Sequence, residues 1–417
     1  MELVIEGRYY HRGGLKQGCI GIEGGRIVNI QKVLRGDTHI DVGSRIILPG
    51  GIDPHVHFRE PGLTNKENFY TGSLGALHAG ISCVLEMPNT KPPVIDSESL
   101  SDKKRALRKK SFVDYGLFAA LTPEADIEVL APSVAGFKLF MGSTTGEILL
   151  NDDRQIANLM PRVAATGKVL SVHAEDDDMI GNDNEEDTWD HLRNRPIESE
   201  IQAIGRLSPY KAMNVNICHA TSVASLQLAR SLGFTTEVST HHLLFNATNG
   251  LGAKGKVNPP LRDVNTQRQL FKAFKEGWAD MIGSDHAPHS ISDKGQEFQN
   301  APSGMPGIET AFPMLMAFVK RGMLPLSLVV EMVCENPAKR FNLNKGRIEE
   351  GYDADFAIFD PRDMVDISVK MLHGKSEWTP YEGRKAVFAD TIILGGELQL
   401  DKGELCGEPI GRDLFFG

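Results

Sequence analysis

Residues 54–62 read Pro-His-Val-His-Phe-Arg-Glu-Pro-Gly and follow the apolar segment 46–52 after one residue, Asp53. A parallel β-strand that is covered on both faces is apolar along its length, and the Pro-Gly pair ends it. Because side chains alternate between the two faces of a strand, His55 and His57 share one face. Two imidazoles at the carboxyl end of one strand can bind a single metal ion, although two structural histidines are the alternative.

From residue 51 onward, apolar strand-length segments alternate with amphipathic helix-length segments, which is typical of βα units around a parallel sheet. Eight strands are predicted, at residues 51–58, 82–87, 113–120, 135–141, 168–174, 214–220, 235–240 and 280–285. Eight such units predict a (β/α)8 TIM barrel over residues 51–344. A doubly wound open sheet is the alternative, but no Gly-x-Gly-x-x-Gly motif or P-loop follows any of these strands.

The two ends of the chain differ from this pattern, because both consist of short β-runs separated by glycines. Neither end has enough strands to bury a core alone. We therefore expect residues 1–50 and 345–417 to form one composite β-sandwich domain beside the barrel.

Composition excludes several classes of function. The 417 residues carry a formal net charge of -10 and no long basic run, which argues against nucleic acid and anionic membranes as partners. The basic residues between Lys103 and Lys110 are expected on the solvated face of a helix. No apolar stretch approaches the roughly 20 residues that span a bilayer. Five cysteines without paired spacing predict reduced thiols and a cytoplasmic location.

Residue types that bind metals stand at the carboxyl ends of five predicted strands. They are His55 and His57 on the first, Lys138 on the fourth, His173 on the fifth, His219 on the sixth and Asp285 on the eighth. In a barrel these ends meet at one mouth. Taken singly, His219 could be a core histidine and Lys138 could extend to the rim, but together the six residues predict one convergent site.

Four neutral imidazoles and one carboxylate suit Zn²⁺ or a similar divalent ion, and they are too many for one catalytic ion that keeps an open position. We therefore expect two ions. Two cations this close need an anionic bridge, and the only central candidate is Lys138. A buried lysine that adds CO2 becomes a carbamate with two anionic oxygens, and this modification is a hypothesis.

Several motifs together resemble the dihydroorotases of the amidohydrolase superfamily. They are His-Val-His-Phe-Arg-Glu-Pro-Gly at 55–62, Met-Pro-Asn-Thr at 87–90, Gly-Phe-Lys-Leu-Phe at 136–140, Asn-Pro-Pro-Leu-Arg at 258–262 and Asp-His-Ala-Pro-His at 285–289. The resemblance covers nearly the whole chain. It implies reversible, zinc-dependent hydrolysis of (S)-dihydroorotate to N-carbamoyl-L-aspartate in pyrimidine (UMP) biosynthesis.

The resemblance also assigns the metal ligands by position. His55, His57 and Asp285 would hold one zinc ion, and His173 and His219 would hold the second. Lys138, carboxylated on its side-chain nitrogen, would bridge the two. Some relatives carry Asp in the bridging role, and Gly136-Phe137-Lys138 fits the lysine version.

Substrate selection is expected from residues beside the metal site. Dihydroorotate has a carboxylate that dihydropyrimidines, hydantoins and allantoin lack, so its enzyme needs a fixed cation there. Arg59 lies two residues past His57 on the same strand face and offers a planar guanidinium. A salt bridge between Arg59 and Glu60 is the alternative.

Other residues are expected to contact the substrate from neighbouring loops. Asn89 and His289, together with His57, are expected to help Arg59 bind the carboxylate of the substrate. Asn258 would hold the ring, although an Asn-Pro turn is an equal alternative. At Ser303-Gly304, where the family often has an aromatic residue before Gly, a backbone contact is expected.

Asp285 is the expected general base, taking a proton from the attacking water and delivering it to the departing ring nitrogen. The glycine-containing segment 142–146 is expected to close over the substrate. The alternatives are an allantoinase, a hydantoinase or dihydropyrimidinase, or a non-catalytic homologue that serves as a scaffold. A small-molecule substrate and a homo-oligomeric state complete the expectations.

Overall fold

The computed structural model describes residues 1–144, 146 and 148–416. The strands of this part are β1 (Leu3–His11), β2 (Gly14–Glu23), β3 (Arg26–Gln31), β4 (Thr38–Pro49), β5 (Gly51–Val56), β6 (Ile81–Glu86), β7 (Asp114–Ala120), β8 (Gly136–Phe140), β9 (Val169–His173), β10 (Val215–Ile217), β11 (Thr235–Val238), β12 (Met281–Ile282), β13 (Phe356–Asp366), β14 (Lys385–Leu394), β15 (Glu397–Asp401) and β16 (Glu404–Leu405).

Helices connect the strands of the central part of the chain. They are α1 (Phe69–His78), α2 (Ser97–Leu107), α3 (Ile127–Leu130), α4 (Asp153–Thr166), α5 (Thr188–Asn194), α6 (Ile197–Arg206), α7 (Val223–Ser231), α8 (Thr240–Leu244), α9 (Val264–Lys275), α10 (Ile291–Lys294), α11 (Ile308–Lys320), α12 (Leu326–Val330) and α13 (Asn336–Arg340). Polar residues cap the amino ends of several of them. Asn68 accepts from the backbone N–H of Thr71, and Ser222 accepts from that of Ser225.

Strands β5 to β12 form the barrel. They are hydrogen-bonded in sequence order, and the paired neighbours are parallel. A parallel bridge between Val56 and His286 joins the first strand to the segment after the last, and the His57 backbone N–H donates to the His286 carbonyl over 2.9 Å. The predicted TIM barrel is confirmed, and the open-sheet alternative is wrong.

The terminal strands form a second sheet, in the order β16-β15-β14-β13-β4-β1-β2-β3. Strand β4 from the first end pairs antiparallel with β13 from the second, with Pro49 opposite Phe356 and Ile47 opposite Ile358. The prediction that both ends of the chain build one β-unit is therefore confirmed. The division into domains at residues 50 and 345 stays a proposal.

Apolar side chains pack inside the barrel toward its amino-terminal end. Phe341, just after α13, lies edge-on to Phe118 of β7, with ring centroids 5.8 Å apart. Ile52, Leu85 and Met281 belong to the same buried cluster. The predicted metal ligands lie at the opposite, carboxyl end of the strands. None of the helices in the described ranges is long and apolar enough to cross a membrane.

Candidate active site

The side chains predicted as metal ligands line one cavity at the carboxyl ends of the barrel strands. The lining also includes Arg59, Asn89, Asn258, Ser303 and Gly304, which were predicted to contact substrate. The structure thus brings together all the predicted site residues except His289. The volume of this cavity is about 30 Å³.

Three of these residues converge on one point. The Asp285 Oδ1 atom lies 3.3 Å from His57 Nε2 and 3.6 Å from His55 Nε2. The other ring nitrogen of each histidine is already used, because His57 Nδ1 donates to Asn89 Oδ1 over 2.6 Å and His55 Nδ1 donates to Glu237 Oε2 over 2.9 Å. Both Nε2 atoms therefore direct lone pairs at a carboxylate oxygen, an arrangement that suits a cation between them.

Burial keeps these imidazoles neutral. It lowers the pKa of His57 to about 3 and that of His55 well below the usual value, because each ring is fully buried. Burial opposes ionisation of Asp285, but its contacts with His57 and His55 hold the pKa of that carboxyl well below its ordinary range. The cluster thus has the protonation states of a metal-binding set at neutral pH.

Asp53 fixes the position of this cluster. Its Oδ1 atom accepts from the His55 backbone N–H at 3.0 Å and from the Ser284 backbone N–H at 3.1 Å. One buried carboxylate therefore ties strand β5 to the segment that carries Asp285. The sequence places Asp53 two residues before His55 but gives no sign of this contact.

Glu237 is a further carboxylate that sequence reasoning missed. It lies in strand β11, is 1% exposed, and accepts from both His55 Nδ1 and the side-chain amide of Asn216. An acidic residue inside the otherwise uncharged segment 235–238 is the signal that could have identified it. Its contact fixes the tautomer and the orientation of His55.

We expect Glu237→Gln to lower the affinity for divalent metal ions by about 10- to 100-fold, because an amide oxygen is a weaker acceptor for the His55 N–H. Competition with a chelator of known affinity measures this. Glu198→Gln, on the exposed face of α6, is the matched control. Equal metal affinities for the two variants would contradict the role given to Glu237.

The second pair of predicted ligands also converges. His173 Nδ1 and His219 Nε2 lie 3.1 Å apart, and the His55 and His219 rings have centroids 5.3 Å apart. His173 Nε2 donates to Glu175 Oε2 over 2.8 Å, so its Nδ1 atom carries a lone pair. Two ring nitrogens that meet in this way fit a second cation.

Arg195 connects this pair to the loop above the cavity. Its Nη2 atom donates to Glu175 Oε2 over 2.7 Å and to the Ser143 carbonyl over 2.9 Å. One arginine thus orients His173 through Glu175 and holds the start of the segment predicted to close over substrate. Thr145 of that segment lies outside the described residues, and no sequence pattern marked Arg195.

Lys138 ends in the centre of the cluster and is fully buried. Its Nζ atom donates to Cys218 Sγ over 2.9 Å and lies 5.2 Å from the centroid of the Phe140 ring. No carboxylate of the described residues lies within 4.0 Å of it. An ammonium group in this position is therefore buried without an anionic partner, which is costly.

Arg59 points into the same cavity and is 2% exposed. Its Nε atom has no hydrogen-bond partner within the described ranges, and no carboxylate there lies within 4.0 Å of the guanidinium. Burial lowers the pKa of Arg59 to about 10, so it is cationic at neutral pH. The salt bridge with Glu60 is absent, because Glu60 pairs with Lys110 instead.

His289 is buried behind Arg59 rather than in the cavity lining. Lys66 donates to its Nδ1 atom at 3.0 Å, so the proton on Nε2 goes to the Ser303 carbonyl at 2.9 Å. Arg59 Nη2 lies 3.5 Å from the same Nε2 atom. The structure therefore places His289 beside Arg59 and hydrogen-bonded to the Ser303 carbonyl, and direct contact with a substrate stays a prediction.

Asn89 and Asn258 both lie at the cavity edge. Asn89 Oδ1 accepts from His57, as described above. Asn258 Oδ1 accepts from His191 Nε2 at 2.9 Å, and its Nδ2 atom lies 3.5 Å from the Ser143 carbonyl. Asn258 is thus fixed between the loop and the helix α5 that carries His191.

The segment that carries Arg59 is held from behind by Glu86 and Lys103. Glu86 Oε2 accepts from the Phe58 backbone N–H at 2.8 Å, and Lys103 Nζ lies 3.3 Å from Glu86 Oε1. Both side chains are fully buried. The expectation that the whole basic cluster lies on a solvated helix face is therefore wrong for Lys103, because this contact with the end of the preceding strand, β6, compensates its burial.

Three site residues have left-handed backbone conformations that non-glycine residues rarely adopt. The φ angles are 64° at Arg59, 37° at His219 and 47° at Asp285. Each such residue costs about 1–3 kcal/mol. The fold tolerates this strain at three positions around one cavity. We infer that the strained backbone is needed to direct these side chains into the cavity.

The two histidines after strand β11 differ in their contacts. His242 is hydrogen-bonded to Ser239 Oγ at 2.7 Å and to the Pro259 carbonyl at 2.9 Å, as expected for a structural histidine. His241 is 1% exposed, its Nε2 atom lies 4.0 Å from Asp285 Oδ2, and neither ring nitrogen has a hydrogen bond within the described residues. His241 therefore lies directly behind Asp285.

Comparison with known protein families gives one matching description, the Amidohydrolase family, over residues 46–395. The dihydroorotase of Methanosarcina acetivorans is 37% identical, and the match covers 98% of this chain and 93% of that protein. The dihydroorotase of Pyrococcus abyssi is 36% identical, covering 99% and 98%.

Solved structures with the same fold are named hydantoinases or dihydropyrimidinases rather than dihydroorotases. The L-hydantoinase (dihydropyrimidinase) from Arthrobacter aurescens matches with a TM-score of 0.92 and 24% identity, over 99% of both chains. The dihydropyrimidinase from Brevibacillus agri matches with a TM-score of 0.89 and 26% identity, over 100% of this chain and 98% of that one.

Proposed function

Since this chain belongs to the amidohydrolase family, we propose that it is a dihydroorotase, which interconverts (S)-dihydroorotate and N-carbamoyl-L-aspartate. This reaction is a step of pyrimidine biosynthesis. The observation that carries the proposal is the buried guanidinium of Arg59, which faces the cavity without a carboxylate partner among the described residues. A ring with its own carboxylate supplies that partner, whereas hydantoin, allantoin and dihydrouracil do not.

The residues around the cavity fit two divalent ions, and we propose zinc. His55, His57 and Asp285 direct three lone-pair atoms at one point, and His173 and His219 direct two nitrogens at another. Imidazole nitrogen and carboxylate oxygen are the ligands that Zn²⁺ prefers, and Co²⁺ or Mn²⁺ also accepts them. When bound, such a pair supplies a Lewis acid for the ring carbonyl and lowers the pKa of a nearby water.

We propose that Lys138 bears a carbamate between the two groups of ligands. As an ammonium it is buried without a carboxylate within 4.0 Å in the described part of the chain, and as a carbamate it is an anion among neutral imidazoles. The change replaces an unfavourable buried cation by a group that compensates two metal charges.

The side chains around the cavity have separate roles in the proposed reaction. Arg59 holds the substrate carboxylate through two parallel hydrogen bonds. Asp285 takes a proton from the attacking water and delivers it to the ring nitrogen as the amide bond breaks. In the reverse direction the same carboxylate removes a proton from the carbamoyl nitrogen as this nitrogen attacks the carboxyl carbon, and it returns the proton to the oxygen that leaves as water.

The role of Arg59 is testable with Arg59→Met, which replaces the stem of the side chain by one of similar shape and removes the charged guanidinium. We expect the KM for dihydroorotate to rise by about 10- to 100-fold, the scale of a lost charge-assisted hydrogen bond, while bound metal is unchanged. Steady-state kinetics and metal analysis of the same preparation measure both quantities.

The matched control is Arg154→Met, at an exposed position of α4. Its KM should equal that of the parent enzyme. A KM for Arg59→Met that stays at the parent value, or a loss of metal in proportion to activity, contradicts the assignment of Arg59 to the substrate carboxylate.

A hydantoinase remains the second candidate because the solved structures above have that name. Their likeness includes the barrel and the terminal sheet, which do not select a substrate. A cytoplasmic location and a homo-oligomeric state also remain proposals.

A further inference from the structure

A second cavity, of about 590 Å³, lies at the amino-terminal end of the barrel. Its wall includes Val169 and Met281, the first residues of β9 and β12, and Arg340 at the end of α13. His173 ends strand β9, so the two cavities lie at opposite ends of the same strand, about 13 Å apart along it. This cavity is therefore separate from the candidate active site.

The wall carries an excess of positive charge. Three cationic side chains line it, Lys168, Lys339 and Arg340, against the single carboxylate of Asp280. Asp280 Oδ2 is bonded to the backbone N–H of Thr236 at 2.9 Å and to its hydroxyl at 3.2 Å. Within the described ranges, no carboxylate lies within 4.0 Å of any of the three cations. Such a concentration of unpaired cations is unexpected in a chain with a formal charge of -10.

Two of the cations are held in place. Arg340 Nη2 donates to the Val215 carbonyl at 2.8 Å, while its buried Nε atom has no partner among the described residues. Lys168 Nζ donates to the Val134 carbonyl at 2.8 Å and lies 4.9 Å from the centroid of the Phe415 ring. A guanidinium and an ammonium that are fixed and only partly satisfied favour binding of an anion.

Phe415 closes one side of the cavity. The segment before it is fixed to the barrel, because the Tyr115 backbone N–H donates to the Arg412 carbonyl and the Leu414 backbone N–H donates to the Tyr115 carbonyl, each over 2.9 Å. The remaining wall carries the neutral polar side chains of Thr166, Asn214, Thr235, Asn336 and Asn342. The first four already donate to protein oxygens, and their own oxygens can accept from the hydroxyl groups of a ligand.

We propose that this cavity binds a phosphorylated small molecule, with the phosphate held by Arg340, Lys168 and Lys339 and a sugar moiety against the neutral side chains. A phosphate monoester carries nearly two negative charges at pH 7, which matches the two uncompensated positive charges of the wall. The guanidinium binds phosphate oxygens in pairs, and the volume lies in the range of small-molecule sites.

Isothermal titration of the full chain tests this, with inorganic phosphate, ribose 5-phosphate and adenosine 5′-monophosphate as probes and ribose and adenosine as uncharged controls. We expect at least one ester to bind more tightly than inorganic phosphate, and the uncharged controls not to bind. Affinity should fall as salt is raised. Failure of both esters, or binding no tighter than that of inorganic phosphate, overturns the proposal.

Variants locate the binding. Lys339→Glu changes an exposed residue and should weaken ester binding by at least about tenfold, as should Arg340→Gln, because each removes a charge-assisted contact. Lys320→Glu is the matched control at an exposed lysine outside the cavity, and Arg59→Met removes the active-site cation. Both controls should bind as the parent does. Unchanged binding by Lys339→Glu, or loss of binding in Arg59→Met alone, contradicts the assignment to this cavity.

Discussion

Replacing Asp285 by Asn should reduce turnover by about 10²- to 10⁴-fold in both directions, the contribution of a positioned general acid or base. The amide has nearly the shape of the carboxylate and keeps an oxygen toward His55 and His57, but it cannot accept the proton. Dihydroorotate hydrolysis and carbamoyl-aspartate cyclisation are measured separately on one preparation whose metal content is known.

Asp37→Asn, at an exposed position between β3 and β4, controls for the loss of one negative charge and should leave both rates unchanged. If Asp285→Asn kept more than a tenth of the parent rate in either direction, the proton would have to pass through another group. A loss of rate that is fully restored by excess zinc would assign Asp285 to metal binding alone.

Lys138→Ala should lose more than about 100-fold in activity, since contacts that only orient metal ligands already contribute 10- to 100-fold and Lys138 would bridge the two ions directly. Short carboxylic acids such as acetate or propionate should restore part of the rate, because they place a carboxylate where the carbamate stood. The native mass of the parent protein should exceed the summed mass of the sequence and its bound metal ions by one CO2.

Lys211→Ala, at an exposed position, should behave as the parent enzyme and show no effect of added acid. Full activity of Lys138→Ala eliminates the carbamate. A native mass equal to that of the sequence plus its bound metal ions, in an active preparation, contradicts it as well.

The positions of the metal-binding side chains follow from the sequence because strand periodicity and the barrel rule act on each strand separately. His55, His173 and Asp285 each stand at the end of an apolar strand, and parallel strands bring such ends to one mouth. The composite terminal sheet was predictable for a similar reason, since neither end of the chain could bury a core alone.

The residues that orient these ligands were not predictable, because their contacts join segments far apart in the chain. Glu237 lies 182 positions from His55, and Arg195 reaches Ser143 from 52 positions away. A strand glutamate or a helix-end arginine is compatible with many roles until the fold is known. The burial of Lys103 was also not predictable from the sequence, because it depends on the ion pair with Glu86.

We attribute the proposed preference for dihydroorotate to one corner of the cavity. The barrel accounts for the likeness in fold to the hydantoinases, whereas the buried guanidinium of Arg59, which has no carboxylate partner among the described residues, accounts for the proposed choice of substrate. His289 and Ser303 form the wall beside that guanidinium, and the left-handed backbone at Arg59 directs it inward. We therefore attribute specificity to a small set of residues after strand β5 and after Asp285.

A substrate panel with the unmodified enzyme tests this account most directly. Rates are measured with dihydroorotate, dihydrouracil, hydantoin and allantoin under one set of conditions. We predict that kcat/KM for dihydroorotate exceeds each of the others by at least about 100-fold, because the uncharged rings leave Arg59 buried without a partner. A preference for hydantoin, dihydrouracil or allantoin would contradict the proposed function.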